Sequence, residues 1–390
     1  MKKLLLLCAG LAVGLWTASC SGHTMSSFTP SAPMPGPNGS SAILSSTESV
    51  PAGWAGTATK AIPFKNFPTG RVPVNMPMRI VVGLYMRDHD GAAKLVRGQH
   101  TRGSAEFMQW LAPGAFTAKF GPTASQAASV ADYLKKEGFT KVSIEPNRLI
   151  VSATGSVARV EAAFSTSIRG TMVNGKQIYG NIKPALVPEK LRGVVAAVLG
   201  LTNDYQMNVH LVRSTHQMAP MAAGTPPPCL VVSATNVCTF GEYGPTQYQI
   251  AYDAPQCTNK DIARQEIHVT PMWANCSGSL TSVAIMAEGN VSRVLTDLRT
   301  AEAFWGLPAV PYSVKKVGVS SPDTSGLDEW DLDTQISSGF AETLKHLYVY
   351  DTTSLTDSDI ALEYSHWVND DLAQAGNSSF GTPETLAYAD

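Results

Sequence analysis

The stretch "HQMAPMAAGTPPPC", residues 216–229, divides this chain into two parts that must fold separately. Pro220 and the run Pro226 to Pro228 lack amide donors, so neither a helix interior nor a central strand can run through them. A chain of 390 residues is also too long for one ordinary domain. We expect a linker over residues 206–240, open to proteolytic nicking, with one domain on each side.

Upstream, residues 76–205 read as a small domain of alternating strands and helices. "MRIVVGLYM" is a β-rich run, and "SAEFMQWL" predicts a helix that starts at Ser104 and stops at Pro113. "TASQAASVADYLKKEGF" predicts an amphipathic helix with Ala128, Val130, Tyr133 and Leu134 on one side and Gly138 closing it. "VSIEPNRLIVSATG" reads as two strands turning at Pro146-Asn147, and "SVARVEAAFSTSI" as a second helix with Val157, Val160, Ala163 and Phe164 inward. "KQIYGNIKPALVPEKLRGVVAAVLGL" adds a strand, a Pro-bounded loop and a last segment. That βαββαβ order implies a ferredoxin-like α+β unit: an antiparallel sheet with two helices on one face.

Downstream, over residues 241–390, the texture changes. "LTSVAIMAEG", "VKKVGVSS" and "KHLYVYD" are strand-like; "VSRVLTDLRTAEAFWGL", "DEWDLDTQISSGFA" and "DIALEYSHWVNDDLAQA" are helix-like and alternate with them. Such strand–helix repeats imply a parallel α/β sheet with crossover helices.

The N-terminus reads as a targeting segment. "MKK" followed by the apolar "LLLLCAGLAVGLW" and small residues predicts a signal peptide over residues 1–20 and an exported, extracellular or periplasmic product. "TASC" also resembles a lipobox that would anchor a lipoprotein at Cys20, although Thr17 stands where a Leu-type residue is usual. Residues 21–75, rich in Ser, Pro, Gly and Thr, predict a flexible, disordered leader. Lys plus Arg number 29 against 31 Asp plus Glu, which argues against a nucleic-acid binder. Cys229, Cys238, Cys257 and Cys276 read as two disulfides with three connectivities open. Pairing of neighbours is expected, and no Cys-x-x-Cys spacing favours zinc instead. The eight histidines form no metal-ligand spacing, and His210, His216 and His268 read as linker and loop residues.

Several of these stretches together resemble one family. "GAFTAKFGPTASQAASVADYLKKEGF", "NRLIVSATGSVARVEAAFSTSI" and "IYGNIKPALVPEKLRGVVAAVLGL" resemble, in order, the activation propeptide of the sedolisin/kumamolisin family of serine-carboxyl peptidases. "YGPTQYQIAYDAP", "SVAIMAEGN" and "LTDLRTAEAFWGLP" look like the opening of its catalytic domain. The resemblance implies a pro-kumamolisin-like propeptide over 76–205, then the N-terminal part of a subtilisin-like sheet from 241. It also implies a protein or peptide substrate, and the chain's own or a related peptidase domain as partner of the propeptide.

The stretch "GLDEWDLDTQ", residues 326–335, carries four carboxylates within Asp328 to Asp333. Taken alone, an acidic pair at i, i+4 is usually a solvated helix face. The resemblance turns Glu329 and Asp333, followed by Gln335, into the family's catalytic carboxylates. Both then lie on one helix face. The Glu takes the proton of a serine nucleophile, and the Asp orients the Glu. Two close carboxylates separate their pKa values, so the pair works in acid, where a histidine base fails. Asp328 and Asp331 fall on other faces and are expected in solvent.

The same resemblance calls for an oxyanion Asp in a Gly-Asp-Ser-Gly-like segment and a nucleophile in Ser-Gly-Thr-Ser. Neither occurs in these residues; Ser325-Gly326 precedes the acidic helix, in the wrong order. The family's calcium site would also lie beyond them, so no cofactor is expected here. The chain as given is therefore expected to be an incomplete, inactive serine-type endopeptidase. The alternatives are a propeptide-type inhibitor or chaperone and a non-catalytic surface lipoprotein.

Overall fold

The first described backbone is packed rather than loose. In a computed structural model that describes residues 50–62, 70–112, 114–209, 278–341 and 343–382, with single residues 245, 248 and 252, β1 (Trp54–Gly56) pairs antiparallel with β8 (Leu186–Pro188). Ala55 is fully buried, and the Thr59 hydroxyl donates to the Val198 carbonyl. Residues 50–62 thus depart from the expected flexible leader, because Thr57 and Thr59 exchange hydrogen bonds with strand edges that would otherwise be unsatisfied. The expected signal peptide, Cys20, the four later cysteines and most of the linker lie outside the described residues.

The N-terminal unit forms the expected sheet. β3 (Pro77–Leu84), β4 (Thr140–Ile144), β5 (Ile150–Ser156) and β9 (Val195–Leu199) stand in the order β4-β5-β3-β9, all antiparallel. This is the ferredoxin-like order. Its helices are α3 (Ala124–Lys136) and α4 (Val157–Ala163). A capping box starts α3: the Thr123 side chain accepts from Gln126 N while Gln126 Oε1 accepts from Thr123 N. Its inward stripe is Ala127, Val130, Ala131, Tyr133 and Leu134, so Ala127 and Ala131 take the place expected of Ala128. A second sheet joins β2 (Gly70–Arg71), β6 (Ile168–Val173) and β7 (Lys176–Asn181).

One helix lies elsewhere than expected. α1 (His89–His100) begins where Asp88 accepts from Gly91 N, and α2 (Ala115–Lys119) follows later. Between them, the segment expected as a helix from Ser104 is a series of turns. Ser104 Oγ accepts from Glu106 N two residues on, and Gly103 and Met108 take positive φ, so the side chain closes a local turn instead of capping a helix.

Residues after the linker build a parallel sheet in the order β12-β13-β11-β14. Its strands are β11 (Ser282–Glu288), β12 (Tyr312–Lys316), β13 (His346–Thr352) and β14 (Ala375–Asn377). α5 (Val294–Trp305) and α6 (Leu327–Ala341) cover one face through Val294, Leu298, Leu327 and Trp330, packed on Ile285, Leu347 and Val349. On the other face, α7 (Asp357–Asp370) lies against Tyr350 and Met286. Two short strands, β10 (Asn208–Val209) and β15 (Phe380–Gly381), pair with each other. All described residues belong to one compact unit. No helix among them is long and apolar enough to cross a membrane.

Candidate active site

α6 is fixed at its start by a close approach. A Cβ on buried Gly326 would stand 2.7 Å from the Trp330 indole, so only glycine lets that ring fold back over the first turn. Trp330 is 1% exposed, and its Nε1 donates to the Glu288 carbonyl at 3.1 Å, locking the helix to the end of β11. Asp328 and Glu329 occupy the first turn, where the helix dipole favours negative charge. The core stripe runs through Leu327, Trp330, Thr334 and Ser338. By helical geometry, Glu329 and Asp333 border one side of that stripe and Asp331 the other.

The structure brings the two expected carboxylates together and buries both. Glu329 is 8% and Asp333 7% exposed. Asp333 Oδ1 accepts from the Ser379 hydroxyl at 2.7 Å; its Oδ2 is buried with no hydrogen-bond partner. Burial pushes the Asp333 carboxyl up to about 6. The Glu329 charge pushes the same way, while Ser379 and Asn377 favour the ionised form. Asp328 is exposed, as expected. Asp331 is not: it is half-buried beside Asp297 of α5, and burial first, then Asp297, raises its carboxyl to about 7. The reason is that α5 packs along the flank of α6 that the sequence alone left to solvent. Gln335 is half-buried, and its carbonyl accepts from Ser338.

Two partners of Asp333 and one further buried acid went unread in the sequence. Ser379 and Asn377 sit just past α7, at a strand end, which is where parallel α/β sheets usually place functional groups. Glu288 ends β11, and burial, with Asp323 and Asp351 nearby, raises its carboxyl to about 7. The one available signal for Glu288 was a charged residue closing a buried apolar strand.

The N-terminal unit reaches this region directly. β10 pairs with β15 next to Ser379, and Met207 N donates to the Leu355 carbonyl at 2.9 Å. Arg79 of β3 forms an ion pair with Asp359, in the first turn of α7. Asn147 Nδ2 donates to Ser365 Oγ at 3.0 Å, and Asn369 Nδ2 donates to Glu145 Oε2 at 3.2 Å. Between the two units lies a cavity of about 1000 Å³ lined by Arg79, Tyr179, Glu288, Asp323, Ser325 and Asp359. Neither Glu329 nor Asp333 lines it.

Comparison with known proteins gives this arrangement a context. Residues 68–204 match the family described as the pro-kumamolisin activation domain. Xanthomonalisin from Xanthomonas sp. (strain T-22) is 32% identical over 326 residues, which is 80% of this chain and 36% of that protein. Sedolisin from Pseudomonas sp. (strain 101) is 32% identical over 318 residues, 80% of this chain and 49% of that protein. The chain thus spans about half or less of the length of these relatives. A solved structure of Pseudomonas sedolisin, a serine-carboxyl proteinase complexed with two molecules of pseudo-iodotyrostatin, matches at 30% identity and a TM-score of 0.26. It covers 28% of this chain and 32% of that one, so the relationship rests on the sequence matches. With a pro-kumamolisin activation domain followed by a parallel sheet, this chain is related to the sedolisin family of peptidases.

Proposed function

We propose that this chain is the front part of an exported, acid-acting serine-carboxyl endopeptidase precursor, in which Glu329 is the general base and Asp333 orients it. The observation that carries this reading is the burial of both carboxylates on one face of α6, with Asp333 held by Ser379. A solvated acidic pair would have no such partner and no such burial. Below about pH 6 Asp333 is mostly protonated. Its Oδ2 has no hydrogen-bond partner and is the oxygen proposed to carry that proton and orient Glu329. Glu329 is the group that accepts the proton of an attacking serine hydroxyl. The 390 residues contain no Ser-Gly-Thr-Ser or Gly-Asp-Ser-Gly segment. By themselves they are proposed to hydrolyse no peptide. The propeptide unit, held by Arg79, Glu145 and Asn147, would cover the sheet until it is removed, and the substrate would be a protein or peptide.

The coding DNA past the codon for Asp390 tests the reading. In-frame segments resembling Gly-Asp-Ser-Gly and Ser-Gly-Thr-Ser support it; their absence in every frame sinks it. A second reading has support of its own. The N-terminal unit has a closed core and its own docking groups. It would therefore serve as an inhibitor of a related peptidase. Titrating the chain into active sedolisin tests this, and unchanged peptidase activity at a large excess removes it.

A further inference from the structure

The end of α1 and the turns after it hold large apolar side chains in solvent. Val96 is 53% exposed, Met108 60%, Trp110 64% and Leu111 38%. Trp110 is the one exposed tryptophan among the described residues. These side chains share a face. Val96 and His100 stand one turn apart on α1, and the Trp110 ring meets the His100 ring edge-on at 5.8 Å. Leu111 follows Trp110 in the chain, and Met108 N donates to the Gln99 carbonyl at 3.0 Å.

The face is built rather than loose. Gln99 is buried, and its Nε2 donates to the Gln109 carbonyl at 2.6 Å, between Met108 and Trp110. Met108 takes a φ of 56°, a backbone conformation unfavourable for any residue with a side chain. Hydrogen bonds to the backbone and from the side chain of one buried glutamine therefore hold this turn in place. The docking groups Arg79, Glu145 and Asn147 lie outside the face, so the C-terminal unit can stay bound while it is used.

The charge around it has one sign. Residues 94–119 contain Lys94, Arg97, Arg102 and Lys119 against one acid, Glu106, whereas the whole chain has 29 basic residues against 31 acidic ones. Glu106 accepts from the Ser104 hydroxyl, and the charges of Lys94 and Lys119 both act on it. Asp88 and Asp90 belong to the opposite end of α1, where Asp88 caps the helix. An exposed apolar patch rimmed by charge marks an interaction site. A peptide partner fits a groove, and the cavities of about 1000 and 470 Å³ are lined by none of these residues. A phospholipid surface needs no groove. It takes Trp and aliphatic side chains into its headgroup layer and draws Lys and Arg to its phosphates.

We propose that this face docks on an anionic phospholipid surface, with Val96, Met108, Trp110 and Leu111 entering the headgroup layer and Lys94, Arg97 and Arg102 meeting lipid phosphates. The proposal is independent of the peptidase reading, because no residue of the carboxylate site takes part.

The test is vesicle cosedimentation at pH 7 with the chain from residue 21. That chain keeps the whole compact unit of residues 41–390 and leaves off the apolar stretch 4–16, which would bind lipid by itself. Phosphatidylcholine vesicles containing about one third phosphatidylglycerol are compared with phosphatidylcholine alone, in about 0.1 M salt, where charges act over ~10 Å. Saturable binding to the anionic vesicles is expected, about tenfold or more weaker on phosphatidylcholine alone. Trp110→Ala should lower the affinity about tenfold and Arg97→Ala about fivefold. Both side chains are exposed, so neither change should disturb folding. Leu280→Ser, which removes an apolar side chain 80% exposed elsewhere, should leave binding unchanged. No binding, equal binding to the two vesicles, undiminished binding in Trp110→Ala, or an equal loss in Leu280→Ser would overturn the proposal. A dimer seen by light scattering without vesicles and lost in Trp110→Ala, together with no vesicle binding, would assign the face to a second copy of this chain and overturn it as well.

Discussion

Ser379 donates its hydroxyl proton to Asp333 Oδ1 at 2.7 Å, across 46 residues of sequence, and so ties the strand end after α7 to the carboxylate face of α6. A hydrogen bond to an ionised oxygen stabilises the charged form. Replacing Ser379 by Ala should therefore raise the Asp333 carboxyl further above about 6, by on the order of one pH unit. Carbon-detected NMR titration of the side-chain carboxyl measures this directly and needs no turnover. An unchanged titration in Ser379→Ala would mean that the contact does not govern Asp333.

The pH dependence of stability should run opposite to ordinary acid denaturation over one window. The folded Asp333 carboxyl titrates near 6 and its unfolded counterpart near 3.8, so the folded state holds the extra proton between those values. Stability from this group is then greatest below about pH 4 and is lost as pH rises through about 6. The loss is on the order of 3 kcal/mol if the full shift is expressed. Asp331 and Glu288, both raised to about 7, extend the window upward with the same sign. Urea midpoints should rise as the solution is taken from pH 7 toward pH 4. Asp333→Asn should flatten that profile and stabilise the chain at pH 7. A midpoint that falls steadily from pH 7 downward would refute the assignment of these shifts.

How much of this was legible in the sequence follows the range of the forces involved. The i, i+4 spacing of Glu329 and Asp333 is local, so their shared helix face could be read directly. The capping box at Thr123 and the inward stripes of α3 and α4 are local in the same way. Asp331 defied the reading because its environment is set by α5, some thirty residues earlier in the chain, whose Asp297 no helical pattern predicts. Ser379 and Asn377 were missed for the same reason: their meaning comes from strand β14 landing beside α6. Ser104 shows the converse, a local side-chain turn that competes with a plausible helix start and wins.

Among the described residues Trp330 is the largest fully buried side chain, and it also spans two elements. Trp330→Phe keeps much of the apolar volume but leaves the Glu288 carbonyl without its indole donor, which should cost about 1–3 kcal/mol. Trp330→Ala adds a cavity under Phe380 and should cost about 3–5 kcal/mol. Equilibrium unfolding separates the two values. A cost for Trp330→Phe as large as that for Trp330→Ala would show that ring volume matters less than the hydrogen bond.

The contact between the two units should depend on Arg79 more than on its neighbours. Asp359 is 5% exposed and meets Arg79 on one oxygen and the Ser354 hydroxyl on the other. Arg79→Ala strands that buried carboxylate, a change that commonly costs 3–5 kcal/mol for a fully buried pair. The Arg79 side chain is 34% exposed, so water recovers part of this, and about 2 kcal/mol is expected. Asn147→Ala removes one neutral hydrogen bond to Ser365 and should cost about 1 kcal/mol. Hydrogen exchange gives the sharper readout, because loosened docking exposes the first turn of α7 and the β4–β5 turn while the two cores stay intact. Arg79→Ala should speed exchange at both places and leave β11 and β5 protected. Faster exchange throughout the N-terminal sheet would instead mean that Arg79 supports its own domain, and the docking role assigned to it would fall.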